Sequence, residues 1–389
     1  MELNFPETFD NEFVKEYNHK IYNEELQYNI HNIKGYEYQQ SQMDSIIRII
    51  KDEIEMKLYP NIYDELHELA SERGGFLTAK NRQYLYKYII TNLYELNKCK
   101  YPQSDEVVND SSREYKLRDI IIKDCERTAL KIFTKHFTSI TKEDTAKYIN
   151  NLKYFVRKSI SDNYDIEYNQ GYHDICLFFM LLFAEEGMSL ANKFAKLFLY
   201  YFLNPNYSQG SVEMIQLSDI STNILNNKKI CLPDENNSFR FPFTISWIKT
   251  IFTNKNSNIF HQFQLFDYFL TRDLGHIFVA SSMLILKDIN NIPNTNKDDS
   301  STNVCMYFQD LNVPEKVNDA YLKDINRIDS TLIMSKALKE LYKMDKITYN
   351  NRYMYYSINN GIKKKKIFTI NWILIIWLIT FLILLSCSL

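Results

Sequence analysis

Glycine and proline are scarce in this chain of 389 residues, eight of each, about a third of ordinary usage. Tight turns depend on both, so an all-β sandwich or barrel built from many hairpins is excluded. A surplus of either charge is missing as well. Forty-six Lys and Arg against 48 Asp and Glu leave a formal charge of −2, which argues against a nucleic-acid binder and against a disordered polyelectrolyte. Cys99, Cys125, Cys176, Cys231, Cys305 and Cys387 are dispersed without a C-x-x-C pair, so neither a zinc site nor a disulfide framework is indicated. The seven histidines do not recur at metal-ligand spacing. The phosphate-binding patterns G-x-x-x-x-G-K-[ST] and G-x-G-x-x-G are absent, as are G-x-S-x-G and H-E-x-x-H. No metal and no cofactor of the chain's own is therefore expected, and no P-loop or Rossmann nucleotide site.

What is present is helical periodicity. Leu85, Ile89 and Leu93 recur at four-residue spacing behind the turn Gly74-Gly75-Phe76-Leu77-Thr78, whose threonine is an N-cap candidate. Further helices are expected around Ser45–Tyr59, Lys116–His136 and Asp144–Ser161. The apolar run Ile175 to Ala184 is too short to cross a bilayer and reads as a buried core helix, with Asp174 as its N-cap. His173 reads as a histidine held near that helix start by local hydrogen bonds. Strand-like alternation is sustained nowhere, so an all-α protein is expected.

A second apolar run is longer. Ile367 to Leu385 holds nineteen residues without a charge, including Trp372 and Trp377, and as a helix spans ~28 Å, close to the hydrocarbon thickness of a membrane. Lys363 to Lys366 precede it, which places the preceding chain on the cytosolic side. A single-pass C-terminal transmembrane helix is expected, with Ile367, Trp372, Trp377 and Leu385 as its membrane anchor. The start lacks the apolar core of a secretory signal, which sets aside a GPI anchor.

Two short stretches carry a resemblance. Ile121-Ile122-Lys123-Asp124-Cys125-Glu126-Arg127 fits I-x-x-D-x-x-R, and Tyr168-Asn169-Gln170-Gly171 fits Y-x-Q-G about forty residues later. In that order they resemble the two fingerprints of the TBC domain, whose members activate Rab GTPases. Arg82 upstream, Ser246-Trp247 with Phe252, and Phe266-Asp267-Tyr268-Phe269-Leu270 agree with it. Gly171-Tyr172-His173-Asp174-Ile175, the Gly74-Gly75 turn and the apolar tail look most like tail-anchored members at the endoplasmic reticulum. Two positions depart from the family: Tyr86 replaces a usual tryptophan, which keeps an aromatic core plug, and Leu130 replaces a proline, so the helix is expected to continue past Arg127.

Residues 1–68, rich in Asn, Tyr, Glu and Lys, are expected to form a peripheral N-terminal helical or flexible arm, and the resemblance implies a two-lobed helical TBC domain over residues 69–335. A juxtamembrane segment over 336–366 and the anchor over 367–385 complete the chain. It implies that Arg127 is an arginine finger and Gln170 a glutamine finger, both offered in trans to the GTP form of a Rab. GTP and Mg belong to that partner. Such a chain is an activator and not itself a hydrolase of free GTP, working at the endoplasmic reticulum or early Golgi membrane with its N-terminus cytosolic. Asp124, three residues before Arg127 and on the same helix face, would orient the guanidinium or a neighbouring loop rather than do chemistry. Tyr168 and Asp174 would support the site, and Gly171 would permit a turn or close approach after the glutamine. The alternative is a TBC-fold adaptor that binds a GTPase or a membrane partner without speeding hydrolysis.

Overall fold

The computed structural model describes residues 8–22, 33–52, 60–97, 119–127, 140–161, 168, 170–198, 244, 246–247, 250–252, 259–271, 280–281, 284–285, 287–288, 291, 306–308, 310–311, 316–317 and 321–323. Among them there are helices and no strand. The apolar tail, residues 367–385, and Leu130 lie outside the described residues. Among the described residues no helix is long and apolar enough to cross a membrane.

In chain order the helices are α1 (Asn11–Ile21), α2 (Tyr36–Asp52), α3 (Pro60–Ser71) and α4 (Ala79–Asn97). Next come α5, running through residues 119–127, α6 (Lys142–Ser161), α7 (Tyr172–Phe183), α8 (Met188–Phe198) and α9 (Ile259–Leu270). The helix expected at Ser45 starts earlier, at Tyr36. Pro60 opens α3, where the missing N–H of proline leaves no intrahelical bond unmade. Thr78 caps α4 as its position suggested: its hydroxyl accepts from the Asn81 N–H at 3.1 Å.

The apolar run Ile175 to Ala184 is the axis of the core. Eleven of the twelve α7 residues are buried, all but Asp174. This helix packs against α8, α6, α4 and α1, which is why it shows no polar face. Phe178 stacks on Phe266 of α9 with centroids 3.7 Å apart, and Phe179 and Phe183 meet Phe198 and Phe194 of α8 at 5.3 Å and 4.9 Å. Ring pairs of this kind add to the stabilisation that the buried area gives.

The N-terminal segment is not peripheral. Val14, Tyr17 and Ile21 of α1 are at most 1% exposed, and α1 also meets the polar needs of α7. A helix leaves its last four carbonyls without an intrahelical donor. Here the Asn18 amide donates to Met180 O and Leu181 O at 3.1 and 3.0 Å, and the Tyr22 hydroxyl donates to Leu181 O at 2.9 Å. Gln83 of α4 donates to Leu182 O at 2.6 Å. In a segment rich in Asn and Tyr, these polar groups look solvent-facing in sequence; folded, they are the ligands of the central helix's end.

Candidate functional site

Between α3 and α4 the chain turns through Gly74 and Gly75, both at positive φ, 86° and 56°. An ion pair with both side chains at 0% exposure organises this turn. Arg82 of α4 donates through Nε to both oxygens of Asp267 on α9, at 3.1 and 3.0 Å, and through Nη1 and Nη2 to Leu77 O and Gly74 O at 2.8 and 2.9 Å. Asp267 also accepts from the Phe76 N–H at 2.8 Å and from the Tyr86 hydroxyl at 2.6 Å. Burial pushes the Asp267 carboxyl up, against the downward pull of Arg82. Tyr86 is thus buried as an aromatic plug, and unlike an apolar ring it also closes the hydrogen bonding of the pair.

The two motif segments meet at Asp124, beside the first turn of α7. Ile121, Ile122, Asp124 and Cys125 form the inner face of α5, while Ile120, Lys123 and Arg127 are exposed. This division follows from helical periodicity. Lys153 of α6, 11% exposed in its side chain, pairs with Glu126 at 2.8 Å and ties α5 to the body. Burial pushes the Cys125 thiol well above its ordinary range, as expected of an inert core thiol.

Asp124 joins the segments. Arg127 Nη2 donates to Asp124 Oδ1 at 2.8 Å, and the Tyr168 hydroxyl donates to Asp124 Oδ2 at 2.7 Å. One carboxylate therefore holds both the guanidinium and the residue two positions before Gln170. Arg127 keeps 53% of its side-chain exposure and Gln170 is exposed, whereas Asp124 is 9% exposed. The cation and the amide stand at the surface on a buried polar base. The phenol of Tyr168 is pushed up, first by burial and then by the Cys125 thiol and the Asp124 carboxylate, so it remains a hydrogen donor.

Gly171 makes the step from Gln170 into the helix. It is the N-cap of α7 at φ 105° and ψ −17° and gives no side-chain cap bond. A Cβ at this position would stand 2.4 Å from Thr250 Cγ2, so backbone conformation and space both require glycine. Asp174, expected as the N-cap, is instead the third residue of the helix, because the left-handed turn at Gly171 starts the helix one residue after it. Its carboxylate lies in the first turn, where the helix dipole favours a negative charge. His173 is 1% exposed, with Nδ1 2.9 Å from the Tyr168 hydroxyl and Nε2 3.5 Å from Asp174 Oδ1.

The sequence motifs therefore bring Asp124, Arg127, Tyr168, Gln170, Gly171 and Asp174 to one neighbourhood. Ile367, Trp372, Trp377 and Leu385 lie outside the described residues. Sequence reasoning missed the partnership of Arg82 with Asp267, the support of α5 by Lys153, and the fit of Gly171 against Thr250. The first had a signal: a carboxylate inside the apolar run Phe266 to Leu270 needs a buried cation. Among the described residues no cluster of His, Cys, Asp and Glu could hold a metal ion.

A family model described as the Rab-GTPase-TBC domain matches residues 79–291, more than half of the chain and a span that contains both motifs. No curated protein matches the chain.

Proposed function

The chain belongs to the Rab-GTPase-TBC domain family, and from that premise we propose that Arg127 and Gln170 are the two side chains it offers in trans to a GTP-loaded Rab. The supporting observation is the Asp124 carboxylate, which holds Arg127 at 2.8 Å and Tyr168, two residues from Gln170, at 2.7 Å. Phosphoryl transfer asks mainly for positioning and for charge opposite the developing negative charge. Arg127 is a permanent cation with a planar fork of donors, suited to the oxygens of the transferred and leaving groups. Gln170 has an acceptor and two donors, so it can orient the attacking water while it bonds the partner's backbone. GTP and its Mg come with the Rab. Asp124 keeps the guanidinium oriented before the partner arrives, which lowers the entropy lost on docking.

The test is GTP hydrolysis by a panel of GTP-loaded Rabs with the full-length chain, Arg127→Ala and Gln170→Ala. For the responsive Rab, Arg127→Ala is expected to remove most of the acceleration, by about 10³ to 10⁵ if this finger resembles those of other GTPase activators. Gln170→Ala is expected to lower the maximal rate as well. Undiminished acceleration by both folded variants refutes the finger mechanism. Tight Rab binding by the wild type without acceleration points to an adaptor.

We further propose that residues 367–385 tether this activity to an early secretory membrane, at the endoplasmic reticulum or early Golgi. The uncharged nineteen-residue run behind Lys363 to Lys366 supports this. Confining activator and lipid-anchored Rab to one surface raises their effective concentration. Removing 367–385 should release the chain from membranes and leave hydrolysis in solution unchanged. A truncated chain that stays with the membrane fraction refutes the tether.

A further inference from the structure

We propose that His173 is a positioning residue for Arg127, acting through the Tyr168 hydroxyl and the Asp124 carboxylate. The inference rests on the finger reading of Arg127 and adds a third member to its support. His173 is the second residue of α7 and shares no motif position with Arg127, yet two hydrogen-bond lengths separate its ring from the carboxylate that holds the finger.

Donor and acceptor roles fix the direction of this relay. Asp124 accepts on both oxygens, Oδ1 from the permanent Arg127 cation and Oδ2 from Tyr168. The single hydrogen of the Tyr168 hydroxyl is therefore directed to Asp124 Oδ2, 2.7 Å away. The 2.9 Å contact between that phenol oxygen and His173 Nδ1 is then satisfied only with the proton on Nδ1 and the phenol oxygen accepting. The order runs from imidazole N–H to phenol O–H to carboxylate, and it ends on the guanidinium. Each donor in such a chain polarises the next, and the low dielectric of a buried site strengthens the effect.

The relay has a mechanical consequence. An Asp carboxylate turns readily about its last torsion, and Asp124 presents Oδ1 to Arg127 Nη2 only while Oδ2 is held. Tyr168 holds Oδ2, and His173 fixes the hydroxyl that does so. Two carboxylates lie near the ring, Asp124 Oδ2 at 3.9 Å from Nδ1 and Asp174 Oδ1 at 3.5 Å from Nε2, and the shortest polar contact of the ring is the one to Tyr168. The Tyr168 and His173 rings lie 6.4 Å apart, tilted by 34°. A histidine that merely filled space here would need no donor at Nδ1, and this difference is measurable.

The experiment uses the full-length chain and a panel of GTP-loaded Rabs. His173→Phe keeps an aromatic ring and removes the donor; His173→Asn keeps an amide donor near the position of Nδ1; Tyr168→Phe removes the relay's middle hydroxyl. His173→Phe should lower the maximal rate about three- to tenfold, the size expected for one hydrogen bond, with KM nearly unchanged. In the Tyr168→Phe background the same substitution should cost less than about twofold, since the hydroxyl through which it acts is gone. His173→Asn should recover most of the rate. A cost of His173→Phe that persists undiminished beside Tyr168→Phe, or that asparagine does not relieve, overturns the relay. A second measurement does not depend on activity: the guanidinium NMR signal of Arg127 in arginine-labelled chain, assigned by its loss in Arg127→Lys. His173→Phe should shift that signal, and only when the Tyr168 hydroxyl is present; an unmoved signal overturns the relay. Should no Rab respond to the wild type, the finger reading fails by itself, and the NMR arm still decides the relay.

Discussion

Replacing Gly171 by alanine strains the segment that presents Gln170, and the structure separates that strain into two parts. The first is conformational: φ is 105° and ψ −17° at this residue, a region side-chain-bearing residues occupy at a cost of order 1–3 kcal/mol. The second is steric. The new Cβ would stand 2.4 Å from Thr250 Cγ2, far inside the ~3.5 Å of a good carbon contact. Thr250 cannot readily turn away, because it is 3% exposed, β-branched, and held by its hydroxyl donating to Ser246 O at 2.7 Å. Overpacking of this kind costs about 1–3 kcal/mol. Against both stands the lower entropy of an unfolded chain with alanine in place of glycine, about 0.4–1 kcal/mol. The expected net loss is about 1–5 kcal/mol, read from urea denaturation followed by circular dichroism. Thr250→Ser removes Cγ2 and keeps the hydroxyl, so in the Gly171→Ala background it should recover the steric part and not the backbone part. The pair would then be non-additive by about 1–2 kcal/mol. A Gly171→Ala chain within about 0.5 kcal/mol of wild type, or strict additivity with Thr250→Ser, would refute the reasoning.

Asp267→Asn keeps the shape of the buried carboxylate but strips the Arg82 guanidinium, itself 0% exposed, of its counter-charge. The loss should be about 3–5 kcal/mol, seen as a lowered denaturation midpoint; a loss below about 1 kcal/mol would mean that the pair is not buried as described. The core tyrosines predict an alkaline limit. Burial raises the phenols of Tyr86, Tyr148 and Tyr321 well above the ordinary 10.0. Below that value folded and unfolded chains both keep these protons; above it the folded chain binds more, so their contribution to stability is lost as pH rises past 10.0. Denaturation midpoints should fall as pH rises above about 10, and a flat profile there would contradict the burial of these phenols.

Much of the fold is written locally. The four-residue recurrence of Leu85 and Ile89, the threonine before α4 and the apolar run from Ile175 all concern neighbours within a turn or two, and such patterns predict helices because helix geometry is itself local. The I-x-x-D-x-x-R spacing likewise places Asp124 and Arg127 on one helix side before any tertiary contact exists, and their ion pair is the outcome. The expectation of a peripheral arm over residues 1–68 failed for the same reason. Asn18 and Tyr22 bond carbonyls of α7 162 and 159 positions away, which no local pattern registers.

The sequence by itself determined helices, their inner faces and the two motifs with their candidate side chains. Only the tertiary structure decided which groups those side chains depend on. Tyr168 reaches Asp124 across 44 positions and Arg82 reaches Asp267 across 185, while Gly171 owes its necessity to a threonine methyl on a distant segment. Hydrogen bonding and close contact act over a few ångströms of space, and the distance along the chain between partners has no bearing on them; helical periodicity cannot register a partner that only folding brings near.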